Sequence, residues 1–132
     1  MPESFSAMYG HLVFSTKNCQ PFLRDAALRA EMHSYLGGVS AKLGCPTLVV
    51  GGVEDHVHLL ARLGGDITQR EWIKEVKRVS SKWIKSQSPR LAGFYWQSGS
   101  GLFSVSMSNL ERVRTCILRQ EVRHRKESFQ DE

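Results

Sequence analysis

The run Asp55-His56-Val57-His58-Leu59-Leu60-Ala61 sets two histidines around one hydrophobic residue, and it constrains the fold more than any other part of the chain. Successive side chains of a strand point to opposite faces. As a strand, this run sends Val57, Leu59, Ala61 and Leu63 into a core while His56 and His58 emerge side by side on the other face. Paired imidazoles suit several divalent ions and leave room for a third protein group and for substrate oxygens. Taken alone, a His-x-His pair is a loose motif that also arises by chance.

The segments around this strand define its partners. Met8 to Phe14 reads as a first strand, closed by a polar stretch from Ser15 to Gln20 and by Pro21. From Asp25, the apolar positions Leu28, Met32, Leu36, Val39 and Leu43 recur at helical spacing, with Gly37 and Gly38 weakening the helix and Gly44 stopping it. Pro46 to Val53 reads as a second strand, in which Gly51-Gly52 marks a bulge or bend, and a turn at Glu54-Asp55 joins it to the histidine strand as a hairpin. Thr68-Gln69-Arg70-Glu71 is a capping box that opens a second helix, with Trp72, Val76, Val79 and Trp83 expected on its apolar face. Gln87 to Gly101 reads as a loop, and Phe103 to Met107 alternates as a last strand. Ser108-Asn109-Leu110-Glu111 is a second capping box, opening a final helix to about Lys126. The order strand, helix, strand, strand, helix, strand is that of a ferredoxin-like (RRM-like) α+β unit, an antiparallel sheet with two helices on one face, followed here by an additional C-terminal helix. No linker, repeat or low-complexity tract interrupts it, so residues 1–132 are expected to form a single domain.

An excess of 18 Lys+Arg over 13 Asp+Glu gives a formal charge of +5, which favours a polyanionic partner without naming one. On the second helix, Lys74, Lys77, Arg78, Lys82 and Lys85 form either a solvated face or a phosphate-binding stripe, with Lys77, Arg78 and Lys82 the candidates for holding DNA. Tyr95 and Trp96, in a glycine-bearing loop, can stack on unpaired bases or anchor that loop on the core. Cys19, Cys45 and Cys116 are odd in number and widely spaced, which argues against a disulfide framework and for thiols in a reducing cytoplasm. With no basic-then-apolar leader and no run long enough to cross a bilayer, the chain is expected to be soluble, cytoplasmic and free of the membrane.

On the final helix, Cys116, Gln120 and His124 fall at i, i+4 and i+8, one stripe beside the apolar Val113 and Ile117. A nucleophile and a metal ligand one turn apart would meet one metal-bound phosphate together. A plainer alternative makes Cys116 a small buried hydrophobe and Gln120 a surface amide. The helix follows a complete sheet, so it either packs over the open face or reaches into a second subunit.

The chain as a whole resembles the single-tyrosine transposases of the insertion sequence 200/605 group, within the HUH (His-hydrophobic-His) endonuclease superfamily. The resemblance runs through His11-Leu12-Val13-Phe14-Ser15-Thr16-Lys17, Asp55-His56-Val57-His58-Leu59-Leu60, Lys77-Arg78-Val79-Ser80-Ser81-Lys82-Trp83, Trp96-Gln97, Phe103-Ser104-Val105-Ser106, Val113 to Gln120, and the tail through His124 and Phe129. It implies a homodimer that binds single-stranded DNA, often at hairpin ends of a mobile element, and that cuts and rejoins strands. It also implies a divalent metal, Mg²⁺ or Mn²⁺, with His56 and His58 as first and second ligands and Gln120 as the third. Zinc is less expected, because no cysteine sits beside the histidines.

One departure from the family pattern bears on activity. The family reads Tyr-Ile-x-x-Gln near its C-terminus, the tyrosine attacking the scissile phosphate, whereas this chain reads Cys116-Ile117-Leu118-Arg119-Gln120. A second family tyrosine, in a Gly-Tyr-Gly-like turn, is replaced by Gly99-Ser100-Gly101. Three readings stay open at this point. Cys116 attacks as a thiolate, although soft sulfur matches phosphorus poorly and the side chain is short. The chain keeps fold, metal pair and DNA binding without strand transfer. Or metal-activated water hydrolyses the DNA. The alternative from another class is a non-catalytic or repurposed single-stranded nucleic-acid-binding protein.

Overall fold

The computed structural model describes residues 7–130, and the side chains of residues 7–120. Its elements are β1 (Tyr9–Ser15), α1 (Ala26–Lys42), β2 (Thr47–Gly52), β3 (His56–Arg62), α2 (Gln69–Lys85), β4 (Gly101–Val105) and α3 (Leu110–Gln130). The strands form one sheet in the order β2-β3-β1-β4, every neighbouring pair antiparallel. This is the ferredoxin-like order expected from the sequence.

Alternation decides which side of the sheet each strand residue serves. Leu12 and Phe14 of β1 and Val57, Leu59 and Ala61 of β3 form the core with Met32 and Leu36 of α1 and Trp72, Val76 and Ile84 of α2. The Asp25 carboxylate accepts from the Ala27 and Leu28 amides and so caps α1, while Gly44 ends the run in the left-handed region at φ +83. Thr68 caps α2 by accepting from the Glu71 amide.

The buried stripe of α2 runs through Trp72, Val76, Ser80 and Ile84, a rotation from the stripe expected through Val79 and Trp83. Trp83 lies half-buried instead, stacked on Tyr35 of α1 at 4.8 Å between ring centroids. Ser80 is buried because it satisfies a tryptophan: its hydroxyl donates to the Val76 carbonyl and accepts from Trp96 Nε1 at 3.0 Å. Ser40 does the same for Trp72 Nε1 at 2.9 Å. A hydropathy pattern counts serine as polar, and only a partner indole makes it a core residue.

Several expected positions also move. The β2 irregularity falls between Thr47 and Val49 and not at Gly51-Gly52. Gly52 instead takes φ +151 at the hairpin, where a Cβ would run into the His56 carbonyl oxygen. The last strand spans Gly101–Val105, and Ser108, expected as a helix cap, lies in a 3-10 turn (Met107–Asn109) with its hydroxyl on that of Ser106.

α3 lies on the opposite side of the sheet from α1 and α2, packed chiefly on β2. Ile117 is its buried anchor, seated where Gly51 has no side chain: a Cβ there would stand 2.7 Å from Ile117 Cγ2. Leu60, on the histidine side of β3, is fully buried as well. Of the two placements open to the last helix, the chain adopts packing on its own open face. Among the described residues, no helix is long and apolar enough to cross a membrane.

Candidate metal centre and nucleic-acid surface

The antiparallel register of β1 and β3 pairs Val13 with His58, Ser15 with His56 and His11 with Leu60, so His11 shares the face of the histidine pair. His56 and His58 stand with ring centroids 5.2 Å apart. The Asp55 carboxylate accepts from His56 Nδ1 at 2.7 Å. His11 Nε2 lies 2.8 Å from His58 Nδ1. From above, α3 lowers Gln120, whose amide nitrogen donates to His56 Nε2 at 2.9 Å. An acceptor at Nε2 and a donor at Nδ1 define one neutral tautomer of His56.

Cys116 joins this group one helical turn before Gln120. It is exposed, not buried, and it lines a pocket of about 210 Å³ with His11, His58, Ile117 and Gln120. His124, expected on the same stripe, lies outside the residues whose side chains are described. His58 Nε2 and Gln120 Oε1 are buried and have no hydrogen-bond partner. Burial, followed by the neighbouring His11 and His56, pushes the His58 pKa down to about 4. Burial also lowers that of His11. Near neutral pH, His58 therefore holds a free lone pair.

These donors fit a divalent cation. His56 Nε2 meets the Gln120 amide, His58 Nε2 has no partner, and a rotation of that amide exchanges its nitrogen for the orphaned oxygen. Among the described residues no three His, Cys, Asp or Glu side chains converge as metal ligands, so a third protein donor beside the two histidines would be the Gln120 amide.

The basic and aromatic candidates lie elsewhere. Lys77, Arg78 and Lys82 belong to α2, across the sheet from the histidines. The Lys77 ammonium donates to the carbonyls of Gln97 and Gly99 at 2.7 and 3.2 Å and to the Ser100 hydroxyl at 3.0 Å, and burial lowers its pKa. It ties down a loop. Arg78 pairs with Glu75 at 2.7 Å, whose hydrogen bond raises the guanidinium pKa, while Lys82 is exposed. Trp96 has the anchoring role, its ring edge-on to Phe14 and Phe94 and its N–H on Ser80.

Tyr95 is different: it is 55% exposed between those anchored aromatics, with Lys85 Nζ 4.0 Å from its ring centroid and Lys17 Nζ at 6.0 Å. Its carbonyl accepts from the Lys17 amide at 2.8 Å, just beyond the end of β1.

The model of the family "Transposase IS200 like" matches residues 4–120, nearly the whole chain. The chain belongs to that family. As a family member it also shares its fold with a protein described as a candidate transposase from Deinococcus radiodurans R1. That likeness has a TM-score of 0.70 and 19% identity, over 92% of this chain and 96% of the other. A second likeness is to a REP-associated tyrosine transposase bound to a REP hairpin, at TM-score 0.66 and 13% identity, over 94% of this chain and 74% of the other. No curated protein matches this IS200-like transposase.

The sequence assigned no role to His11 and did not single out Lys17. A signal for His11 was present: a histidine on the odd-numbered face of a strand that must neighbour the histidine strand. Lys85 belonged to the charge run of the second helix, but its contact with Tyr95 arises only through the packing of α2 against the loop.

Proposed function

We propose that this IS200-like transposase binds single-stranded DNA hairpins in the cytoplasm and holds Mg²⁺ or Mn²⁺ with His56, His58 and Gln120, but lacks the nucleophile for covalent strand transfer. The observation that carries this reading is that His58, Gln120 and Cys116 line one pocket, that His58 Nε2 and Gln120 Oε1 are buried without a partner, and that His56 Nε2 is held 2.9 Å from the Gln120 amide. A metal bound there supplies charge for a phosphate oxygen at the scissile bond. The chain's own groups do the rest. Asp55 holds the His56 imidazole, α3 sets Gln120 against it, and Cys116 stands at the position of the family's attacking tyrosine. A cysteine side chain is several ångströms shorter than tyrosine, so it stops short of a phosphate that a phenol would reach.

The hairpin substrate is supported by the REP hairpin bound to a transposase of the same fold. Tyr95 and Lys82 offer the strand exposed groups for stacking and phosphate contact. The homodimer belongs to the same proposal, with each chain contributing its own His56–Gln120 contact. Light scattering on the purified protein reads it directly.

The test is a denaturing gel of wild type and Cys116→Tyr with labelled hairpin DNA, with and without Mn²⁺. Adduct in Cys116→Tyr alone, abolished by chelator, is the expected result. Adduct in wild type would make Cys116 a working nucleophile. Cleavage without adduct would mean hydrolysis by water. Hairpin binding indifferent to chelator, with no reaction in either protein, would replace the metal site with a binding module.

A further inference from the structure

A histidine can offer a metal either ring nitrogen, and what decides between them is the hydrogen bond made by the other. His56 has its Nδ1 committed to the Asp55 carboxylate at 2.7 Å. We propose that His11 does the corresponding work for His58, accepting the His58 Nδ1–H at its own Nε2 and so holding the His58 Nε2 lone pair toward the pocket. The inference rests on the metal reading of the site and assigns His11 a positioning role within it.

Three observations support it. The His11 Nε2 to His58 Nδ1 distance is 2.8 Å, a full hydrogen bond between ring nitrogens. His58 Nε2 is buried with no partner, so the opposite tautomer would bury an N–H that no acceptor meets and no cation can satisfy. The His11 backbone is held on both sides, its strand paired opposite Leu60 and Phe103, and the Phe103 ring stands 6.4 Å from the imidazole at 57°. The two ligands thus have unlike supports. Asp55 is a carboxylate next in sequence to His56, whereas His11 is an imidazole 47 residues from His58.

Two variants separate positioning from packing. His11→Phe keeps a ring of similar size and removes the acceptor, while His11→Gln keeps an acceptor oxygen. Mn²⁺ affinity, read by electron paramagnetic resonance on the DNA-free protein, is expected to fall about 10–100-fold in His11→Phe. In His11→Gln it is expected to return to within a few-fold of wild type. Nitrogen-15 long-range correlation spectra should show wild-type His58 carrying its proton on Nδ1, with that preference lost in His11→Phe. Wild-type His58 protonated on Nε2, or unchanged Mn²⁺ affinity and tautomer in a folded His11→Phe, would overturn the inference. Wild type that takes up no Mn²⁺ would refute the metal reading alone, and the tautomer spectra would still decide for or against His11. If His11→Phe does not fold, the wild-type spectrum and His11→Gln settle the matter.

Discussion

The position of Gln120 depends on a single absent side chain, and Gly51→Ala tests that dependence. The added Cβ would stand 2.7 Å from Ile117 Cγ2 and 3.3 Å from the Ile117 carbonyl oxygen. Carbon atoms rest about 3.5–4.0 Å apart, so relief requires α3 to lift by about 1 Å. Ile117 is the buried anchor of this helix, and Gln120 follows it by less than one turn. A lift of that size opens the 2.9 Å Gln120–His56 contact beyond hydrogen-bond range. Overpacking of this kind costs about 1–3 kcal/mol. Urea unfolding followed by circular dichroism should register that loss as a lower midpoint at unchanged slope. Mn²⁺ affinity should fall in parallel. Leucine has no Cγ2 branch, so Gly51→Ala with Ile117→Leu should recover part of both losses, a non-additivity that a double-mutant cycle measures. Full stability and undiminished Mn²⁺ binding in Gly51→Ala would show that α3 does not dock on β2 as described, and the reasoning about Gln120 would fall with it.

Lowering of the His58 pKa to about 4 from an ordinary 6.5 means that the unfolded chain binds the extra proton first. Stability from this group is therefore fully present above about pH 6.5 and declines as pH falls toward 4, by at most about 1.4 kcal/mol per unit; urea midpoints across pH 4–7.5 should show the decline, and His58→Asn should flatten it. Tyr95→Ala should weaken single-stranded DNA binding by about 1–3 kcal/mol in fluorescence anisotropy. Lys82→Ala should reduce the salt dependence of the same binding by roughly one phosphate contact, and an unchanged slope would remove Lys82 from the DNA surface. Lys77→Met should raise amide exchange across Gln97 to Ser100 while leaving that salt slope intact, because its ammonium is occupied by loop oxygens.

The ferredoxin-like order was legible because it follows from short-range signals: alternation around His56 and His58, the helical spacing that begins at Asp25, the Thr68 cap, and glycine punctuation at Gly44. The same alternation placed the two histidines on one face, since that needs only the pleat of a single strand. The family resemblance then pointed to Cys116 and Gln120 on a late helix. What the sequence alone could not determine depends on contacts between distant segments. Register across β1 and β3 brings His11 onto His58, and no local pattern encodes which residues face one another across a sheet. Burial of Ser40 and Ser80 depends on two tryptophan N–H groups arriving from other elements, so the stripe of α2 turns away from the one hydropathy suggests. The choice of α3 to cover its own sheet is decided by Ile117 meeting the bare backbone of Gly51. Local chemistry determined the elements and the candidate ligands, and close packing between remote residues decided how they meet.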